Sequence, residues 1–268
     1  MPPARALLFA ATGLVLVLAG QAAMGHPPPL WGAFLAFALY SALILTGVFA
    51  LRLRMFVDAV TSGRTGVRGW ALTFDDGPDP LTTPRVLDVL DEVGAKATFF
   101  VIVRKAEAHP ALVRDILARG HSVGLHSYAH DRLFALRSER RVREDLERGI
   151  AVLEQITGEP PLLFRPPIGH TNPTIARVVE DLGLVTIGWS VSAHDGTAGA
   201  NVDRVIARVS SRLRDGAIVL MHDASERGTH IPVASDAIAR IVEAGREARV
   251  EIVPLDALIA TESGPNRA

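Results

Sequence analysis

The sequence predicts an α/β fold built on a parallel sheet, preceded by a hydrophobic helical hairpin. Three observations carry that expectation. From Trp70 onward, short apolar runs alternate with amphipathic stretches, the order that produces a parallel sheet. Several apolar runs end directly on residues able to do chemistry, as strands do at the C-terminal face of a βα barrel. Ahead of Trp70 lie two apolar segments without charge, 6–24 and 30–51, each close to the ~20 residues that cross a bilayer.

Taken in order, the hairpin comes first. Gly25-His26-Pro27-Pro28-Pro29 breaks any helix between the two segments. That loop has no Lys or Arg, whereas Arg5 precedes the first span and Arg52, Arg54, Arg64 and Arg68 follow the second. The positive-inside rule then puts both ends, and whatever follows, in the cytoplasm at the inner membrane. A cleaved signal peptide over 1–24 is the alternative, since Ala22-Ala23 offers small residues. The expected division is an anchor over 1–54, a basic linker over 55–67 able to lie on lipid, an α/β domain over 68–260 and a disordered tail over 261–268. Strands are expected at 70–74, 97–103, 122–125, 162–164, 185–190, 217–221 and 249–253. Helices are expected at 82–93, 108–119, 138–157, 172–183, 201–214 and 232–246, with Pro84 near a helix start.

Composition excludes several classes of function. With 28 basic and 29 acidic residues there is no net positive charge to hold nucleic acid. The absence of cysteine removes disulfides and thiolate metal ligands.

The chemistry-bearing segments are five. Thr73-Phe74-Asp75-Asp76-Gly77-Pro78 sets adjacent carboxylates on a turn straight after an apolar strand. Neighbouring side chains on a strand point to opposite faces, so a turn is needed to bring both into one cleft. One carboxylate could then hold a metal while the other handles a proton. His126-Ser127-Tyr128-Ala129-His130 spaces two imidazoles four apart, which puts them on one face of a single helical turn. Two His and one carboxylate are a common ligand set for catalytic zinc. Ser127 stands where zinc proteases carry Glu, so any base must come from elsewhere. Phe164-Arg165-Pro166-Pro167-Ile168-Gly169 is a stiff loop presenting one Arg, and Trp189–Asp195 ends on a carboxylate. Ile218-Val219-Leu220-Met221-His222-Asp223 delivers a His at a strand's end. Each has an ordinary reading as a turn, a surface pair or a capping residue. Five at successive strand exits are harder to explain that way.

In this order the segments resemble the five motifs of the polysaccharide deacetylase family, the NodB-homology domain or carbohydrate esterase family four. Thr73–Pro78 matches the first motif unchanged, His126 to His130 the second, Arg165 to Gly169 the third and Leu220 to His222 the fifth. The fourth is matched in part, through Asp195. The resemblance covers roughly residues 68 to 260 and implies an irregular (β/α)7 barrel. It further implies a divalent metal ion, zinc first among them, held by Asp76, His126 and His130. Asp75 would be the general base and Arg165 its partner. His222 would be the general acid, steadied by Asp195, and the Ile168 backbone N–H would help hold the oxyanion. Two departures concern substrate choice: Ile168 stands where an aromatic residue is frequent, and Ser192 and Gly196 replace the Asp and Trp of the fourth motif.

These roles suit amide hydrolysis, which needs an activated nucleophile, charge stabilisation and a proton for a poor amine leaving group. The expected activity is removal of N-acetyl or other N-acyl groups from an amino-sugar glycan or a lipid-linked glycan precursor at the membrane. An outward-facing peptidoglycan or exopolysaccharide deacetylase is the alternative. A non-catalytic sugar-binding relative ranks third, because Asp75, Asp76, His126, His130 and His222 all persist.

Overall fold

The computed structural model describes residues 1–259, so the tail expected over 261–268 lies outside the described residues. Helices α1 (Pro3–Ala23) and α2 (Leu30–Phe49) form the expected hairpin and are long and apolar enough to cross a membrane. Thr12 and Tyr40 share a 2.9 Å hydrogen bond between them. Arg5, at the start of α1, reaches the Arg54 and Met55 carbonyls and the Asp58 carboxylate, so both ends of the hairpin meet.

Seven parallel strands follow: β1 (Ala71–Asp75), β2 (Ala97–Val101), β3 (Ser122–Leu125), β4 (Leu163–Phe164), β5 (Val185–Thr186), β6 (Val191–Ser192) and β7 (Ile218–His222). Their order is β5-β4-β3-β2-β1-β7-β6. β5 and β6 are the two edges, yet only residues 187–190 separate them. So short a connection reaches at most ~17 Å, which forces the sheet to curl until its edges approach. The result is a half-open barrel ringed by α3 (Thr83–Glu92), α4 (Val103–Ala108), α5 (Pro110–Ala118), α6 (Glu139–Thr157), α7 (Pro173–Asp181), α8 (Val202–Ser210) and α9 (Ala234–Glu247), with α10 (Leu255–Ile259) last.

Alternation along the strands sorts the core into two parts. Leu72, Phe74, Phe99, Val219 and Met221 join the large cluster against the helices. Ala71, Phe100 and Ile218 join a smaller one with Leu255 and Leu258 of α10. Thr73, Asp75, Leu220 and His222 continue the second set of positions, so the inward-facing row ends on the polar residues. Both faces are buried, which is why these strands read as continuous apolar runs.

Four expectations need correction. Residues 249–253 make only an isolated bridge, Trp70 to Ile252, because the chain turns into α10 at Leu255, whose N–H would be the next donor of the ladder. The strand expected at 185–190 is confined to β5, Val185–Thr186; residues 187–190 cross between the sheet edges, and β6 begins only at Val191. The helix expected over 108–119 breaks at His109, which precedes Pro110 and has φ −133°, outside the helical range. Residues 55–67, expected as a linker on lipid, pack into the barrel: Met55, Val57 and Ala59 are buried, and Val60 bridges to Ile187 beside β5.

Candidate active site

The site lies at the C-terminal ends of the strands. Asp75 is the last residue of β1 and points inward with Thr73. Asp76 then adopts φ 77°, which turns its carboxylate back to the same side; Asp tolerates this left-handed region better than most residues. Gly77 must be glycine, since a Cβ there would lie 2.1 Å from an Asp223 carboxylate oxygen. Asp223 accepts from Gly77 N–H at 3.2 Å and from Thr83 Oγ1 at 2.5 Å, fixing the turn from behind.

His126 and His130 are not on a helix. They flank a loop after β3 in which Ser127 (φ 60°) and His130 (φ 51°) are both left-handed, and this bend brings the imidazoles together. The pair was visible in the spacing for a different geometric reason. Ser127 Oγ accepts from His130 N–H at 2.9 Å and holds the bend. Ile168 (φ 50°) and His194 (φ 59°) complete a ring of non-glycine residues in strained backbone around the mouth.

Asp76, His126 and His130 each present a donor atom, all within 4.8 Å of one another and all buried. His126 Nε2 and His130 Nε2 lie 3.7 and 3.4 Å from Asp76 Oδ1, close to the ~3.3–3.5 Å edge of a tetrahedral zinc site. Asp76 Oδ1 is buried without a hydrogen bond. His126 Nδ1 faces the Arg165 carbonyl at 2.8 Å, which leaves Nε2 as the lone-pair nitrogen. Burial lowers both imidazoles and so favours the neutral ligand form. Burial also raises Asp76 to about 6 against the pull of His130 and His222. A buried, unpartnered oxygen beside two neutral imidazoles fits a divalent cation, which would supply the missing countercharge.

Arg165 is fully buried and crosses the barrel interior. Nη1 donates to Asp75 Oδ1 at 2.7 Å and Thr73 Oγ1 at 2.9 Å, while Nε and Nη2 reach the Ile187 and Gly188 carbonyls at 3.2 and 3.1 Å. Its guanidinium lies 4.1 Å over the Phe100 ring. Burial pushes Asp75 up, but Arg165, His126 and His222 outweigh it and hold the carboxyl below its usual range. On the opposite wall, His222 Nδ1 meets Asp195 Oδ1 at 3.0 Å, and Asp195 Oδ2 accepts from the His222 backbone N–H at 2.8 Å. Burial would lower His222; Asp195, then Asp75 and Asp76, overcome it and raise the imidazole to about 9. Gly196 lies against that ring, where a Cβ would come within 2.7 Å. The Trp of the fourth motif therefore has no room here.

A cavity of about 350 Å³ opens over Asp75, Asp76, His126, His130, Ile168 and His222, with Arg165 and Asp195 buried behind it. The structure thus brings all eight expected residues together. Sequence reasoning missed Glu226, whose Oε1 lies 3.2 Å from His130 Nδ1 and whose carboxylate is clamped by Arg132. It also missed Lys105, which donates to the Asp76 and Ser225 carbonyls at 2.7 Å each. Glu226 follows His222 by four residues, a signal too common to single out; Lys105 gave none.

Fold, site and relatives together define the class, a hydrolase acting on amide bonds. A model of the polysaccharide deacetylase family matches residues 62–187. A peptidoglycan-N-acetylglucosamine deacetylase of Bacillus cereus is 38% identical over 155 residues, covering 57% of this chain and 71% of that one. PgdA, the corresponding deacetylase of Listeria monocytogenes, is 42% identical over 167 residues, or 62% of this chain but only 34% of that longer protein. The crystal structure of the Bc1960 peptidoglycan N-acetylglucosamine deacetylase superposes with a TM-score of 0.70 at 30% identity, over 75% of this chain and 92% of that one. The chain belongs to the polysaccharide deacetylase family.

Proposed function

We propose that this protein removes N-acetyl or related N-acyl groups from amino sugars of a membrane-associated glycan or lipid-linked glycan precursor. The observation that carries the reading is a single cleft with oppositely prepared groups on its two walls: an ionised Asp75 against Arg165, and a protonated His222 against Asp195. Asp76, His126 and His130 would hold a divalent cation, zinc by donor type. Bound there, it supplies Lewis-acid polarisation of the carbonyl and acidifies water.

The remaining work falls to the chain. Asp75 Oδ2 is the oxygen turned away from Arg165 Nη1, toward His126, and takes the proton of the attacking water. The Ile168 turn offers backbone N–H to the developing oxyanion. His222, its Nδ1 held by Asp195, gives the Nε2 proton to the departing nitrogen.

The membrane setting is supported by the two apolar helices and by the basic residues gathered at one end of the hairpin, Arg5, Arg52 and Arg54. With that end inside, the substrate is a precursor under assembly at the inner leaflet. The names of the relatives favour a second reading, an outward-facing peptidoglycan deacetylase. The central test is acetate release from an N-acetylated chitooligosaccharide by the full chain, with and without added zinc. Release by the unaltered protein and its loss in Asp75→Asn support the proposal; equal release by both ends it.

A further inference from the structure

A second cavity, about 630 Å³, adjoins the catalytic one and shares Ile168, Trp189, Ser192 and His194 with it. Its far wall is the end of α2 and the residues after it, Phe49, Leu51 and Arg52. α8 contributes Arg208 from its last turn, and Arg212 follows four residues on. No acidic side chain lines this cavity, and among the described residues none of the three arginines makes an ion pair. By contrast, Arg137 and Arg148, in the cavity beside Tyr128, are matched by Asp131 and Glu107. Arginine in a last helical turn is common, because carbonyl ends favour cations. That preference does not account for Arg52 arriving from the anchor to face the same space. Nor does it account for Ser192, which stands where the fourth family motif carries Asp and so keeps the cavity free of negative charge.

We infer that this cavity is a phosphate site, in which Arg208, Arg212 and Arg52 bind the phosphoryl group joining an N-acylated amino sugar to its lipid carrier. Guanidinium forks match phosphate oxygens in pairs, and three without a protein counter-ion leave positive charge for the anionic phosphoryl group. The arrangement has a direction: the sugar lies over Asp75 and His222, the phosphate one cavity away, and the lipid toward α2. It selects the sugar attached directly to the carrier rather than one far along a polymer. This inference rests on the membrane-associated substrate proposed above, and the measurements below separate the two.

The full chain, in phosphatidylcholine nanodiscs, is compared with Arg208→Gln/Arg212→Gln, folding being checked by thermal melting. Calorimetric binding of farnesyl phosphate tests the site without reference to turnover. At least 10-fold weaker binding by the variant, with part recovered in Arg208→Lys/Arg212→Lys, is the expected result. For N-acetylglucosaminyl-1-phosphoryl polyprenol against N-acetylated chitotetraose, the ratio of kcat/KM should fall at least 10-fold, through KM. Farnesyl phosphate binding that is absent, or equal in both proteins, overturns the phosphate site. Inorganic phosphate, or phosphatidylglycerol added to the nanodiscs, displacing farnesyl phosphate at equal concentration overturns the assignment to the carrier, since the arginines then hold any phosphate. If farnesyl phosphate binds through the arginines while the polyprenol-linked sugar is not hydrolysed, the site stands and the substrate reading fails.

Discussion

Arg165 links catalysis to folding through one side chain. It holds Asp75 ionised and also ties β1 to the segment 187–188 across the barrel. Removing one member of a buried pair strands the other's charge, so Arg165→Met should destabilise the fold by about 3–5 kcal/mol in urea unfolding. It should abolish turnover as well; a variant of unchanged midpoint would show that the interior does not depend on this residue. Asp75→Asn should keep the metal and lower turnover by on the order of 10²-fold or more, measured as acetate release. For His222 the sign of the pH effect can be worked out. In the proposed mechanism the protonated form is the competent acid, so activity should fall as pH rises through its pKa, raised by Asp195 to about 9. In Asp195→Asn the alkaline limb should move down toward the ordinary histidine value of about 6.5. A limb that stays in place would remove Asp195 from the mechanism. Glu226→Gln should weaken zinc retention about 10–100-fold in competition with a chelator, because the carboxylate orients His130.

Among the elements, the segment over 55–67 departs most from expectation. Its basic and Gly-containing composition reads as a tether, yet Met55, Val57 and Ala59 are buried and Val60 pairs beside β5. A chain beginning at residue 68 should therefore be less stable than one beginning at 50, by ~3 kcal/mol or more from the lost apolar burial. Equal melting of the two would show the segment to be incidental. Elements were legible where a pattern is local. The helix now seen at Glu139–Thr157 and the strands at β1 and β7 came directly from periodicity and apolar runs. What was not legible depends on closure of the sheet: β5 and β6 are two residues each and exist because distant strands lie beside them. The loop from His126 to His130 was misread as helical because i,i+4 spacing cannot distinguish a helical turn from a doubly left-handed bend. Among the site residues, Asp75, Asp76 and the histidines were visible as motifs. Glu226 and Lys105 were not, since their roles arise only from folding.

For the molecule as a whole, the proposed function fixes the side of the membrane on which the barrel works. Arg5, Arg52 and Arg54 gather at one end of the hairpin, which the proposal places inside. Protease added to intact cells should leave the catalytic domain untouched and digest it once the membrane is opened; digestion in intact cells would favour the wall-facing reading. Either way, the join between anchor and barrel is stiff. Thr171 N–H donates to the Val48 carbonyl at 3.1 Å, Phe49 meets the His170 ring edge-on at 4.7 Å, and Leu51 fills the space beside Gly188. These contacts fix the rim of the barrel to the last turn of α2. A floppy leash would let the catalytic groups patrol a hemisphere of solution. With the hairpin in a bilayer, as proposed, a rigid mount would give them one altitude, so that only sugars carried through a thin layer next to the lipid would come within range, and encounters would become a search in two dimensions.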